Sequence, residues 1–242
     1  PTPGILKDII FTEILADPSP KIGLPEVEFV ELFNRSQTTY NLDGWKVTDE
    51  SSLFMLPALV LAPGEYLIIA PSADEFSGYG KVWADNDFPS LNNSGDILQI
   101  RDINDLLVDS INYSNSWYKD DDRSSGGWSL ELIDPDNLCS DSENWTVSDD
   151  PAGGTPGKQN SVFANKPDLT GPILQSVFPS NSTSLRLTFN ERLEKLLPDV
   201  TSFTLDPAIE ITMIAFTDQS LTQLQLSLAN ELQPGVIYSI HI

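Results

Sequence analysis

Three glutamates, Glu26, Glu28 and Glu31, occur in the short segment EVEFVELF (26–33), which is predicted to be a β-strand. Glycosidases use paired carboxyl groups about 5 Å apart when they retain configuration and about 6.5–9.5 Å apart when they invert it. Residues two apart on a strand lie roughly 7 Å apart, so Glu26 and Glu28 meet the inverting distance. Every Glu-x-Glu strand meets that distance, however. We therefore favour a wall of a β-sandwich whose acids face water at a sheet edge or rim, where charge prevents edge-to-edge pairing.

Aspartate-rich loops are the second group of residues whose chemistry suggests a site. Asp120, Asp121 and Asp122 are consecutive, and Asp85 and Asp87 flank one asparagine. Calcium takes six to eight oxygen ligands, which such loops supply. None of these loops has the twelve-residue EF-hand pattern, and turns use aspartate in any case because its side chain bonds the local backbone. We predict these five residues as candidate calcium ligands, calcium being the one cofactor considered, with solvated turns as the alternative.

Aromatic residues around the same polar loop suggest a recognition surface. Trp117 and Tyr118 precede the aspartate run, and Trp128 follows it. Aromatic rings flanked by acids and amides suit sugar rings or a protein partner. We predict Trp117 and Tyr118 as ligand- or partner-binding residues. The alternative is that Trp128 packs in the core and Trp117 is partly buried.

The residue counts exclude several classes of function. The chain has one histidine, His241, and one cysteine, Cys139, which excludes a Ser-His-Asp triad, a Cys-His pair and a cysteine or multi-histidine metal site. Thirteen basic residues stand against 36 acidic ones, a net charge of −23, so no nucleic-acid partner is expected. No apolar run approaches the length that spans a bilayer. We predict that the chain is not an enzyme.

Period-two alternation bounded by Gly, Pro, Asn and Asp predicts an antiparallel all-β protein. The clearest examples are SLRLTF (184–189), QLQLSL (223–228) and VIYSIHI (236–242). Two Pro-Gly pairs predict type II turns in hairpins, and ILQI (97–100) continues through DIND into a second hairpin. The only helical turn is predicted in 190–200.

Two domains are predicted. All five tryptophans lie before residue 160, and a Leu-, Thr- and Ser-rich strand pattern follows residue 170. We expect a first domain at 1–163, a linker at 164–169 and a second domain at 170–242. The second is shorter than an immunoglobulin sandwich requires, so we expect it to be truncated and the natural protein to continue past residue 242.

Several blocks of the first domain resemble the lamin-tail domain over residues of about 9 to 160. They are IFTEILADPSP, EFVELFNRS, YNLDGWKVTD, LPALVLAPGEYLIIA, LNNSGDILQIRDINDLLVDSINYS and GWSLELIDP with ENWTVSDDPAGGTPGKQNS. Residues 168 to 242 resemble a bacterial immunoglobulin-like repeat in DLTGPILQSVFPSNSTSLRLTFNERL and LQPGVIYSIHI. The fold class expected is all-β, with two immunoglobulin-like β-sandwiches in tandem.

The resemblance implies a non-catalytic domain exported to a bacterial cell surface, periplasm or medium. We expect a modular protein that serves adhesion, spacing or interaction with a protein or glycan partner at the cell envelope. The alternative is an accessory binding module of a secreted hydrolase whose catalytic domain lies elsewhere. Chromatin contacts of eukaryotic relatives are not carried over, because the net charge here is strongly negative.

Overall fold

A computed structural model describes residues 1–49, 51–137, 139–193, 197–218 and 221–242. The described chain is built of β-strands, and its only helical pieces are 3-10 turns at Asp74–Phe76, Asn115–Tyr118, Arg123–Ser125, Asp141–Asn144 and Val200–Ser202. The all-β prediction is confirmed. No helix among these residues is long and apolar enough to cross a membrane. The predicted helical turn at 190–200 includes residues 194–196, which lie outside the described ranges.

The described residues form eighteen strands. They are β1 (Ile9–Leu15), β2 (Phe29–Asn34), β3 (Tyr40–Asn41), β4 (Lys46–Thr48), β5 (Leu53–Met55), β6 (Val60–Leu61), β7 (Tyr66–Ala70), β8 (Val82–Ala84), β9 (Gly95–Arg101), β10 (Leu107–Ser114), β11 (Leu130–Leu132), β12 (Trp145–Val147), β13 (Leu174–Asn181), β14 (Ser184–Phe189), β15 (Thr204–Asp206), β16 (Ile211–Phe216), β17 (Gln223–Leu228) and β18 (Ser239–His241).

The strands divide into two compact units, residues 1–167 and 168–242. In unit 1 a six-stranded sheet has the order β12-β11-β1-β2-β7-β8, and a four-stranded sheet has the order β10-β9-β4-β5. In unit 2 the sheets have the orders β13-β14-β17-β16 and β15-β18. If β13 to β18 are labelled A to F, the two sheets of unit 2 have the strand orders A-B-E-D and C-F, which are those of an immunoglobulin sandwich. Assignment of unit 2 to the bacterial repeat family stays a prediction.

The main core of unit 1 joins its two sheets. It contains Ile14 and Val30 from the six-stranded sheet together with Val47 and Ile100 from the four-stranded one. The other face of the six-stranded sheet is also covered, since Leu15, Phe29 and Ile68 form a separate buried cluster there. Strands buried on both faces lose the simple alternation of apolar and polar residues. All seven residues of β1, IIFTEIL, are accordingly buried.

The turn predicted at Pro63-Gly64 is present, but the two strands that it joins do not pair with each other. Gly64 has φ +76°, and the N–H of Glu65 donates to the carbonyl of Ala62 at 3.1 Å, as expected of a type II turn. However, the strands on either side do not form a hairpin, because β6 pairs with β3 whereas β7 pairs with β2. The predicted hairpin of β9 and β10 is present. Local sequence fixes the turn, but the sheet that each strand joins depends on distant strands.

Candidate functional site

Three glutamates stand side by side on the face of the six-stranded sheet that is turned away from the main core. Glu13 of β1 is in register with Glu31 of β2 on one side and with Glu131 of β11 on the other. All three have zero solvent exposure. Directly opposed residues on neighbouring strands have Cβ atoms about 4.5–5.5 Å apart. We call these three residues the carboxyl row.

Residues 155–162, the cap segment, lie over the carboxyl row and donate hydrogen bonds to it. The N–H of Thr155 donates to Glu13 Oε1 at 2.8 Å, and its hydroxyl donates to Glu131 Oε1 at 2.8 Å. The N–H of Gly157 donates to Glu31 Oε2 at 2.5 Å. The remaining donors to the row are Thr12 Oγ1 to Glu31 Oε1 (2.8 Å), Ser129 Oγ to Glu13 Oε1 (2.6 Å), Ser161 Oγ to Glu131 Oε2 (2.7 Å) and the N–H of Val162 to Glu131 Oε2 (3.2 Å).

Glycines let the backbone come this close to the carboxyl groups. A Cβ at Gly154 would lie 2.4 Å from Glu13 Oε1 and 2.7 Å from the hydroxyl of Ser129. Gly157 has φ +82°, and a Cβ there would lie 1.5 Å from the carbonyl oxygen of Tyr79. Both contacts are far inside van der Waals distance, so the sequence GGTPG packs over the row only because these positions lack side chains.

Burial changes the acidity of the row. Burial raises the pKa of Glu13 well above its usual range, and the neighbouring charges of Glu31 and Glu131 add to the effect. Burial also raises the pKa of Glu31 to about 8, although the hydrogen bonds from Gly157 and Thr12 oppose the shift. Two unit charges about 5 Å apart repel by about 3 kcal/mol at an effective dielectric constant near 20. The row is therefore not fully ionised at neutral pH.

The arrangement does not suit catalysis on an external substrate. A surface pocket of about 480 Å³ lies against the residues 154–158, and Tyr79, Asp150 and Lys158 contribute to its lining. None of the three glutamates lines that pocket. A general acid must come within hydrogen-bond reach of the group to which it gives a proton. The carboxyl row is sealed from solvent by the cap segment.

The acids that opened the sequence analysis have different environments. Glu26 is exposed and precedes β2, and it accepts a hydrogen bond from the hydroxyl of Ser19 at 3.0 Å. Glu28 is partly buried and accepts from the N–H of Leu91 at 3.0 Å. The prediction of a solvent-facing acid is confirmed for Glu26 but is wrong for Glu31. The cap segment covers the face on which Glu31 lies.

In the predicted calcium loops, backbone N–H groups nearby in sequence donate to the aspartate side chains. Asp120 Oδ1 accepts from the N–H of Asp122 at 3.0 Å and from that of the next residue at 3.1 Å. Asp85 Oδ1 accepts from the N–H of Asp87 at 2.9 Å. Asp121 is exposed. Among the described residues, no group of three or more acidic, histidine or cysteine side chains is arranged to hold a metal ion. Calcium binding stays a prediction.

The predicted aromatic surface is only partly present. Tyr118 is 5% exposed, and its hydroxyl donates to the carbonyl of Trp128 at 3.1 Å, so it packs in the core and is unavailable to a ligand. Trp117 is partly buried, with its ring centroid 6.3 Å from that of Trp145. Trp128 is partly buried as well, and the guanidinium of Arg123 lies 4.6 Å from its ring centroid. Of the two predicted residues, only Trp117 retains accessible surface.

Sequence reasoning missed Glu13, Glu131 and the cap segment. The signal was a glutamate flanked by apolar residues on both sides, in FTEIL and SLELI, because such a strand is apolar on both faces. A second signal was the glycine-rich stretch GGTPGK (153–158), since glycines allow close approach of the backbone. Nothing in either stretch indicates that they meet.

The two packed sheets of unit 1 define an immunoglobulin-like β-sandwich. Its described strand pairs are antiparallel, as the sequence predicted, except that β7 and β8 pair in parallel. The family model of the Lamin Tail Domain matches residues 6–115, which contain β1 to β10. Residues 6–115 thus match the lamin tail domain, as the sequence blocks within that range predicted, whereas the predicted block that begins at residue 127 lies outside the match. Glu131 and the cap segment follow the matched residues but lie within the same compact unit. No curated protein matches the chain.

Proposed function

We propose that this chain is a non-catalytic module of an exported bacterial protein, which serves adhesion, spacing or contact with a protein or glycan partner at the cell envelope. The proposal rests on the lamin tail domain, on the division of the chain into two compact β units, and on the expectation that its bacterial relatives are exported. The strongly acidic composition suits a solvated surface.

The observation that carries the proposal is the sealing of the carboxyl row. Glu13, Glu31 and Glu131 are the strongest candidates for acid–base chemistry in the described chain, since they are adjacent and the pKa values of Glu13 and Glu31 are raised. Their zero exposure and their bonds to the cap segment make them part of the fold. A role in binding or spacing therefore fits this molecule better than turnover.

For recognition we propose the accessible part of Trp117. Its indole stands at the polar loop that contains the aspartate run, and aromatic faces beside polar groups bind sugar rings and protein side chains well. Calcium, if it binds, would act at the same loop through Asp120 and its neighbours, so we propose it as an accessory ion.

Turnover and binding are tested separately. The chain is incubated with aryl glycosides and with peptidoglycan fragments, alongside the Glu13→Gln and Glu31→Gln variants. We expect no product from any of the three proteins. Hydrolysis by the wild type that either variant loses would overturn the non-catalytic assignment.

Binding is measured by titrating peptidoglycan fragments and soluble envelope polysaccharides while tryptophan emission is recorded. Trp117→Ala is compared with Phe163→Ala, which removes an aromatic ring of 48% exposure elsewhere in unit 1. We expect binding that Trp117→Ala weakens and Phe163→Ala does not. Equal affinities in the two variants would exclude Trp117 as the recognition residue.

A further inference from the structure

One oxygen of the carboxyl row has no partner. Each of the other five carboxyl oxygens accepts at least one hydrogen bond from the surrounding donors. Glu13 Oε2 is buried and has no hydrogen-bond partner in the described chain. A bare carboxylate oxygen in such a place would be both desolvated and repelled by its neighbours, which is a costly arrangement.

Among the described residues, the groups around the carboxyl row offer no compensating positive charge. Glu31 on β2 and Glu131 on β11 are acids, and Tyr66 on β7 has its pKa raised to about 12 by burial and by the charge of Glu31. On the cap segment, Lys158 is exposed and its Nζ lies 3.4 Å from a carboxylate oxygen of Asp150. In the described part of the chain, no group of three or more acidic, histidine or cysteine side chains is placed to hold a metal ion that could supply the charge. A proton removes one negative charge from the row and needs no cavity.

We propose that the carboxyl row is a proton-binding site: Glu13 carries a proton on Oε2, directed at a neighbouring carboxyl group of the row, and this proton keeps the cap segment fastened to the sheet. The raised pKa values of Glu13 and Glu31 agree with this assignment. When the pH rises, the O–H bond of Glu13 breaks and the proton passes to solvent. The resulting carboxylate repels its neighbours and draws water under the cap.

The cap segment is attached to the sheet through hydrogen bonds that it donates to the carboxyl row. Five of the seven hydrogen bonds given to the row come from residues 155–162. Ionisation of Glu13 strengthens these individual bonds, but it leaves an unpartnered, desolvated charge beside two other carboxyl groups. Only opening of the cap segment lets water reach that charge, so ionisation favours opening. The cap also forms one wall of the 480 Å³ pocket, so its release would change that surface. Proton binding is thereby linked to the shape of an exposed region.

Amide hydrogen exchange of the cap tests the proposal directly. The amides of Thr155, Gly157 and Val162 are followed from pH 6 to 8, with correction for the intrinsic exchange rate. Each proton held only by the closed cap changes the opening constant about tenfold per pH unit, so the proton of Glu13 alone should make their protection fall about 100-fold from pH 6 to 8. Amides of β14 in unit 2, such as that of Leu187, serve as the internal reference and are expected to stay constant, because unit 2 does not contain the row.

Glu13→Gln is the matched variant. Glutamine keeps an acceptor for the N–H of Thr155 and places an NH2 group where the protonated oxygen stood. We expect its pH slope to be smaller than that of the wild type by about one factor of ten per pH unit. The proposal would be overturned if the protection of the cap amides depended on pH as steeply in Glu13→Gln as in the wild type. It would also be overturned if their protection in the wild type did not change with pH. An equal slope at Leu187 would overturn it too, since the pH dependence would then not come from the carboxyl row.

An infrared measurement on the wild type does not depend on the variant folding. We expect the carbonyl stretch of a buried protonated carboxyl group at pH 7, and its disappearance at alkaline pH. Absence of that band at pH 7 would contradict the assignment. Loss of cap protection in chelator, with recovery on adding calcium, would identify a cation and not a proton as the ligand of Glu13 Oε2.

Discussion

Raising the pH from 5 to 8 should destabilise unit 1, although most acids in proteins favour folding in that range. The pKa of Glu31 is raised from 4.5 to about 8 by burial. A raised carboxyl pKa means that the folded state binds more protons than the unfolded state between those two values. Stability therefore falls as pH rises from about 4.5 and levels off above about 8.

The magnitude follows from the same two values. One extra proton in the folded state lowers the free energy of unfolding by about 1.4 kcal/mol per pH unit. The interval from pH 5 to 8 lies almost entirely between the unfolded and folded pKa values of Glu31, so this residue alone lowers the stability by about 3–4 kcal/mol. Glu13 acts in the same direction because its pKa is also raised. A unit of this size should lose on the order of 10 °C in Tm.

Thermal unfolding followed by tryptophan emission is the suitable assay, because all five tryptophans lie in unit 1. The Glu31→Gln variant should be more stable than the wild type at pH 8 and should depend less on pH. Glu26→Gln is the control, since it removes the same charge from an exposed position. It should leave the slope unchanged.

A Tm that is constant or rises between pH 5 and 8 would refute the reasoning, because Glu13 and Glu31 would then be ionised in the folded state. An equal change of slope in Glu26→Gln and Glu31→Gln would also refute it. In that case general repulsion among the 36 acidic residues, not the carboxyl row, would set the pH dependence.

Three other outcomes are expected. Gly157→Ala should destabilise unit 1 by about 3 kcal/mol or more in urea unfolding, because its Cβ would collide with the Tyr79 carbonyl; Gly64→Ala, with a similar φ of +76° and open space around it, should cost only about 1 kcal/mol. Lys7→Met should cost about 3–5 kcal/mol by the same assay, since it leaves the buried carboxylate of Asp109 without its ion-pair partner; equal stability would show that the pair contributes nothing. If the aspartate loops bind calcium, an ion concentration a hundred times the dissociation constant should add about 2.7 kcal/mol to the stability relative to chelator, and an unchanged Tm would leave these loops as solvated turns.

Much of the fold could be predicted from local sequence. Alternation in SLRLTF placed Leu185, Leu187 and Phe189 on one face, and all three are buried. The Pro-Gly pair at Gly64 gave the correct turn, because a type II turn needs a positive φ at its third residue. Such features depend only on residues a few positions apart, and the order of the blocks was enough to identify the lamin tail domain.

The carboxyl row could not be predicted, because its parts come from distant parts of the chain. Glu13 meets Thr155 across 142 positions, and Gly157 meets Glu31 across 126. Period-two alternation tells which residues share a face of one strand, but not whether another segment covers that face. Strand β2 begins at Phe29, and its Val30 and Leu32 belong to the main core. Glu31 lies on the other face, yet it is buried because residues 155–162 lie over it.

The sequence by itself determined that this is an acidic, all-β chain with one histidine and one cysteine, and that its first part resembles a lamin tail domain. Tertiary structure alone decided the state of its glutamates. The acidity of a carboxyl group depends on water, on nearby charges and on hydrogen-bond donors, and all three are set by which segments meet in space. The same residue type is therefore a solvated surface charge at Glu26 and, by our proposal, part of a buried proton site at Glu13.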